Sequence, residues 1–451
     1  MKYLIRNPFF NSIVLFAILF FSFGCTTDNW PQYRGPDNNM IVEGDLPTEW
    51  GMDKNVAWVA DVDGDSWSSP VIWGNKIFIA AAVPEKVHTP PEREEGEPRP
   101  DPPQEDTHYQ EEVYRWELSC LDLATGEEIW KQVAHKGNPR IKKHRLHNYA
   151  GESPVTDGKR LYMYFGMRGV YCYNLEGELI WEKDLGAFET LRNWGTGSSP
   201  VVYNNFLFVQ VDNEEQSFLV ALDAKTGEEV WRVDREEGTN YSTPLIWKNS
   251  ARTELVVGGK KARAYDPASG DLIWELAMAG HYNIPSAVPT RDFLYFGNSG
   301  RRDTPSTFFC VKAGAEGDIT PAEGEATSSG VVWSNLDAPL GNPSPLLHKG
   351  LLYLLSSRGG DLACLDAATG ELIYQEKVPK VGVTWATPWA HENKIFFYDD
   401  KGVTQVVKAG REFEVLHQNS LEGQFWASVA VKDNCYLIKA VDKLYCLKNL
   451  E

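Results

Sequence analysis

Short runs rich in β-branched and aromatic residues, broken by polar turns, follow one another along most of this chain. Ser69-Pro-Val-Ile-Trp-Gly-Asn-Lys-Ile-Phe-Ile79 and Ser199-Pro-Val-Val-Tyr-Asn-Asn-Phe-Leu-Phe-Val209 each read as strand, tight turn and strand. A second phrase follows most such pairs. Cys120-Leu-Asp-Leu-Ala-Thr-Gly-Glu-Glu-Ile-Trp130 returns as Ala221 to Trp231 and as Ala264 to Trp274, with looser copies at Cys172 to Trp181 and Cys364 to Tyr374. Its Asp-x-x-Thr-Gly core predicts a hairpin, because Gly takes the positive φ of the turn and the Asp carboxylate accepts turn amides. Two strands plus two strands make a four-stranded antiparallel sheet.

The innermost strand of each unit is marked by Ser69, Ser153, Ser199, Thr243, Ser344, Thr387 and Ser428, with Ala287 in a weaker version. Most gaps are 41 to 46 residues, the length of one propeller blade. The expected fold is therefore all-β: an eight-bladed propeller spanning 51–451. The last unit stops one strand short. Asn55 to Asp61 resembles the strand that ends the other units, so it is expected to close the ring as the outer strand of the final blade. The tryptophans of the phrase, Trp130, Trp181, Trp231 and Trp274, are expected to pack neighbouring blades together.

The first residues have a different character. Lys2 and Arg6 precede the apolar run Ile13 to Phe23 and then Gly24-Cys25, which reads as a lipoprotein signal over 1–24 with Cys25 as the lipidated residue. Residues 25–50 would then be a tether and N-terminal segment. A bacterial envelope location follows, anchored to a membrane, with Thr26 after the cysteine favouring the outer membrane. Removing 1–24 takes away two basic residues and no acid, so the formal charge of −19 becomes −21. That balance excludes nucleic acid as a partner. Part of the acidity lies in an insertion over 83–112, rich in Pro and Glu, expected to be a disordered loop of the first blade.

The seven cysteines contain no adjacent pair and no CxxC. Cys120, Cys172, Cys310, Cys364 and Cys446 share one repeat position, where other copies have Ala221 and Ala264, so they read as small buried fillers. Only Cys435 and Cys446, on adjacent strands of one blade, are candidates for a bridge. No metal-ligand spacing is present, and His144 with His147 in a basic loop reads as surface chemistry.

Propeller ligands sit at the channel mouth, beside the innermost strands. Trp67, Tyr241, Trp385 and Trp426 share the position two residues before the marker, and His147, Arg192, Trp194 and Tyr282 stand in nearby segments. These eight residues are the candidate ligand site. Two readings stay open for the aromatics: a plug that fills the channel, or walls that stack against a flat or sugar-like ligand.

The repeated phrase resembles the tryptophan-docking repeat of the pyrroloquinoline quinone (PQQ) propellers, which include quinoprotein alcohol dehydrogenases and the outer-membrane assembly lipoprotein BamB. Trp30-Pro-Gln-Tyr-Arg-Gly-Pro36, Ser153 to Gly158 and Gly317-Asp-Ile-Thr320 resemble a narrower set of envelope proteins of that family. The resemblance implies the fold and brings PQQ into question as a cofactor. Quinoprotein dehydrogenases carry a vicinal disulfide, calcium ligands and a catalytic Asp; this chain has no Cys-Cys pair, and no catalytic residue is carried over. The resemblance thus implies a non-enzymatic, monomeric scaffold that binds an envelope protein, in outer-membrane protein assembly. The alternative is a small-molecule-binding or quinone-dependent oxidoreductase propeller with its site at the aromatic mouth.

Overall fold

The computed structural model describes residues 29–85, 111–279, 283–300, 306–336 and 338–450. Eight sheets are arranged as eight blades, and the expected propeller is present. The innermost strands are Val71–Trp73, Val155–Thr156, Val201–Tyr203, Leu245–Lys248, Val288–Pro289, Leu346–His348, Trp389–His391 and Ala430–Lys432. We number blades 1 to 8 in that order. Blade 8 takes its fourth strand from the chain's beginning: Val56–Asp61 pairs antiparallel with Lys443–Leu447, Trp58 opposite Cys446. The ring is closed as the sequence predicts, and no blade is left with a missing strand.

The repeated phrase forms its hairpin for the expected reasons. Asp122 Oδ1 accepts the amides of Ala124 at 2.9 Å and Thr125 at 3.1 Å, and Asp223 does the same for Lys225 at 2.8 Å and Thr226 at 3.0 Å. A bulge follows, where Ala221 faces Trp231 and Leu222 faces Glu229. The skipped residue, Val230, turns outward, and the tryptophan turns toward the next blade. There its indole N–H donates to a turn carbonyl: Trp130 to Leu175 at 3.1 Å, Trp181 to Ala224 at 3.2 Å, Trp231 to Pro267 at 3.2 Å. Trp58 joins blade 8 to blade 1 in the same way, through the Leu123 carbonyl at 3.2 Å. Trp274 departs from the pattern by donating to the buried Glu254 carboxylate of its own blade at 2.8 Å. Its ring still packs on Phe296 of blade 5, with centroids 6.2 Å apart.

The core is correspondingly distributed over the junctions between blades. One cluster joins Val155, Tyr162 and Tyr164 of blade 2 to Leu207, Val209 and Phe218 of blade 3, and others repeat this around the ring. Cys120, Cys172, Cys310 and Cys364 are free and buried, and each faces the tryptophan or tyrosine of its phrase across the ladder. They fill an alanine-sized space, as read from the repeat. Burial pushes the Cys120 thiol up to about 12, so it stays protonated and unreactive in the folded protein. Cys435 and Cys446 of blade 8 are disulfide-bonded, with Cα atoms 6.1 Å apart.

Residues 29–50 lie on the propeller as a strap across one end of the channel. Trp30 exchanges two backbone hydrogen bonds with Ile72 of blade 1, and the Thr156 amide of blade 2 donates to the Pro31 carbonyl at 2.9 Å. The strap then crosses the axis. Asn39 pairs with both backbone groups of Leu347 in blade 6, and Ile41–Val42 adds a parallel strand to Ala390–His391 in blade 7. Arg34 is buried at the crossing. Its guanidinium donates to the carbonyls of Ser286 at 3.2 Å, Ala287 at 2.7 Å and Pro345 at 3.1 Å, joining blades 5 and 6. Burial holds the Arg34 pKa down to about 10, which leaves it charged at neutral pH.

Candidate functional site

The innermost strands run from the aromatic mouth toward the strap, and their hydroxyl markers meet around the axis. Each marker's side chain accepts the backbone N–H of its counterpart in the preceding blade. Ser69 donates to Ser153 Oγ at 2.9 Å, Ser153 to Ser199 at 2.9 Å, and Ser199 to Thr243 at 3.2 Å. Thr243 donates to Ser286 at 3.0 Å and Ser286 to Ser344 at 2.9 Å. Thr387 donates to Ser428 at 3.0 Å, and Ser428 returns to Ser69 at 2.9 Å. At the remaining junction Thr387 Oγ1 is hydrogen-bonded instead to the Tyr33 hydroxyl of the strap, at 3.1 Å. The blade 5 member is thus Ser286, one residue before the Ala287 chosen from sequence. The doublet Ser286-Ala287 satisfied the repeat in either register, and only the hydrogen bond decides between them.

Above this ring opens a cavity of about 1200 Å³. Tyr33 lies at its floor with Ser69, Ser153, Ser199, Thr243, Ser286 and Ser428, and the strap closes the channel beneath. Trp67, His147, Trp194, Tyr241, Trp385 and Trp426 all line it. Arg192 is exposed and is not among the lining residues; its φ of 52° belongs to the loop that carries Trp194. Tyr282 lies outside the described residues, as does Cys25.

The aromatics form two stacked groups. Trp67 and Trp426 stack with centroids 4.3 Å apart and planes within 7°, and Trp385 stacks on the other face of the group, 4.5 Å from Trp426. His147 meets Trp67 edge-on at 5.4 Å, while His144 lies flat on Trp194 at 3.8 Å. Trp67 is itself held in place by Lys439 of blade 8, whose buried Nζ donates to the Ser66 carbonyl at 2.8 Å. The aromatic wall and the open space coexist: the rings pack on one another without filling the channel.

His147 contributes shape rather than proton chemistry. Nε2 is hydrogen-bonded to the Thr196 carbonyl at 3.2 Å, and Nδ1 accepts the Tyr149 amide at 3.2 Å. Burial pushes its pKa down to about 4, against the smaller pull of the Thr196 carbonyl, so the ring is neutral. Gly195 is required beside it, since a Cβ there would lie 2.3 Å from the imidazole.

Sequence reasoning missed Tyr33, Arg145, Arg358 and Glu152. Arg145 and Arg358 line the cavity but occur once each, outside any repeat. Glu152 stands where other blades have Ser68, Ser198 and Ser242, and an acid among small residues was a legible signal. It is fully buried behind Gly151 and Ser153, and burial raises its pKa to about 7, with the Thr196 hydroxyl pulling weakly the other way. The folded protein therefore holds a proton that the unfolded chain releases, and stability is lost as pH rises from 4.5 to about 7. Glu152→Gln is expected to match the parent at pH 4 and to exceed it by about 3 kcal/mol at pH 8. Urea melts at the two pH values check this; a constant difference would refute it.

The family model described as "Outer membrane protein assembly factor BamB" matches residues 115–288. The fold is shared with solved quinoproteins. The quinohemoprotein alcohol dehydrogenase of Comamonas testosteroni superposes with a TM-score of 0.55 at 10% identity, covering 93% of this chain and 80% of that one. The chain has the PQQ-like β-propeller fold. A second enzyme of that title, from Pseudomonas putida HK5, gives 0.54 at 11% identity over 94% and 80% of the two chains. The computationally designed Ika8 protein gives 0.50 at 10% identity over 74% and 93%. At such identities the likeness is one of fold alone. No curated protein matches the sequence.

The quinone and calcium of the quinoproteins do not fit the residues that line this cavity. Asp361 is the single carboxylate among them, and no group of three or more His, Cys, Asp or Glu among the described residues is placed to hold a metal. Free thiols are not part of the cavity either; Cys120, Cys172, Cys310 and Cys364 lie buried beside the docking rings.

Proposed function

We propose that this chain is a non-enzymatic, lipid-anchored propeller of the bacterial cell envelope that binds a partner protein in outer-membrane protein assembly. The observation that carries this reading is the family-model match, whose description names an assembly factor and whose span runs from the two outer strands of blade 1 through blade 4. Those same blades expose apolar side chains on their outer strands. Ile129, Ile180 and Val230 are each 47% exposed, at the bulge that turns them away from the core. An outer strand with open backbone groups and apolar side chains is a template for strand or helix docking. The anchor comes from the leader reading of Cys25.

The test uses the full-length protein in its own host, with a photo-crosslinker in place of Ile180 or Val230. A shared envelope protein captured at both positions, and lost when Ile129→Lys is added, supports the scaffold. Equal capture with the lysine present contradicts it. A second reading, a small molecule in the funnel, is favoured by the cavity of about 1200 Å³ with its closed floor.

A further inference from the structure

We infer that the funnel receives the acidic end of a carboxylated oligosaccharide, an inference that rests on the second reading, that the cavity holds a ligand. The floor is the first argument. Ser69, Ser153, Ser199 and Ser428 are each 3% exposed, and each Oγ accepts a backbone N–H from the blade before it. A hydroxyl that accepts still has its own proton to give. Among the described residues none of these four hydroxyls donates to a protein acceptor. These hydroxyls converge on the cavity floor around one axis, so an oxygen-rich group seated there can accept from several of them at once. A carboxylate, with about four acceptor sites, meets that demand better than any neutral group.

Charge at the mouth points the same way. The chain carries 63 acidic and 44 basic residues, and its buried or half-buried arginines mostly hold a carboxylate, as Arg235 holds Asp212 at 2.9 Å. Arg145 and Arg358 line the cavity, and neither forms an ion pair with a carboxylate among the described residues. Two guanidiniums against a single lining acid, Asp361, make the cavity surface locally positive in a strongly negative protein.

The walls select the rest of the ligand. Trp385, Trp426 and Trp67 stack on one another, so they present a wall rather than a slot into which a flat ring could slide. The C–H faces of pyranose rings pack against such indole surfaces while their hydroxyls meet polar neighbours. An apolar peptide side chain would need an apolar floor, and here the floor is hydroxyl. Because Tyr33 and the strap close the far end, the funnel takes a chain terminus and not an internal segment.

The test titrates the full-length protein in detergent with tri-galacturonate, with its neutral galactose counterpart, and with an acidic glutamate peptide. Tryptophan emission and calorimetry are the readouts. Tri-galacturonate is expected to bind at least about tenfold more tightly than the neutral sugar, and to lose about tenfold in the double variant R145Q/R358Q. Both arginines sit on the cavity surface, so this variant leaves the fold intact; thermal melting verifies it. Equal binding of the neutral sugar, binding of the peptide alone, or an unchanged affinity in R145Q/R358Q overturns the inference. Native mass spectrometry of protein purified from its own host tests the underlying reading separately. A small molecule that copurifies and is lost from R145Q/R358Q keeps the funnel as a ligand site even if the sugar class fails. Ligand-free protein together with three silent titrations removes both.

Discussion

Replacing Arg34 with methionine is expected to destabilise the protein by about 3 kcal/mol and to loosen the floor of the funnel. Methionine fills much of the same volume, so the loss comes from hydrogen bonding rather than from a cavity. The guanidinium is fully buried and holds three carbonyls, those of Ser286, Ala287 and Pro345, from two different blades. Without it those oxygens lie beneath the strap with no donor. Tyr33 precedes it in the chain, and its hydroxyl bond to Thr387 joins the strap to a side chain of the hydroxyl ring. Denaturant unfolding measures the stability loss, and amide exchange at Ser286 and Ser344 reports whether the ring opens locally. Wild-type stability in Arg34→Met would mean that the strap merely rests on the propeller.

A second substitution should cost more. Gly227→Val is expected to lower stability by more than about 4 kcal/mol, enough to leave little folded protein. Two effects combine there. The residue has φ 73°, a conformation that β-branched side chains strongly disfavour, and a Cβ would stand 2.6 Å from the Trp181 ring. The clash would push Trp181 off blade 3 and break its bond to the Ala224 carbonyl. Gly74 provides the control: its φ is 60°, yet nothing lies within 4 Å of its Cβ position. Gly74→Val should therefore show the backbone cost alone, and the difference between the two variants isolates tryptophan docking. Equal losses in both would contradict the docking account.

The repeat made most of the fold readable, because its physics is local and recurs. An Asp that accepts its own turn amides, a Gly at positive φ and a Trp on the outermost strand mean the same thing each time they appear. The closing strand Val56–Asp61 was readable for the same reason: Trp58 is one more copy of the docking tryptophan, separated from its blade by most of the chain. What the repeat could not show is whatever happens once. Tyr33 and Arg34 belong to no period, and their partners lie more than 250 residues away, so nothing in the local pattern places them at the axis. The candidate aromatics were found because four of them share one repeat position, and the structure brings those four together with His147 and Trp194. Arg192 was chosen by proximity in sequence to Trp194, and the loop turns it outward. The hydroxyl ring was half visible: Ser and Thr marked the blades, but their role as acceptors across each junction depends on the radial arrangement.

Everything proposed for the funnel depends on the N-terminal chain being part of the propeller, as floor in residues 29–50 and as closing strand in Val56–Asp61. Hydrogen–deuterium exchange of the full-length protein tests this most directly. The amide of Trp30 and those amides of Val56–Asp61 that bond to Lys443–Leu447 are predicted to exchange as slowly as the bonded amides of Lys443–Leu447, all through the same cooperative opening. Exchange of these N-terminal amides within seconds, while the blades stay protected, would contradict the account: the ring would be open, and the funnel would have no floor.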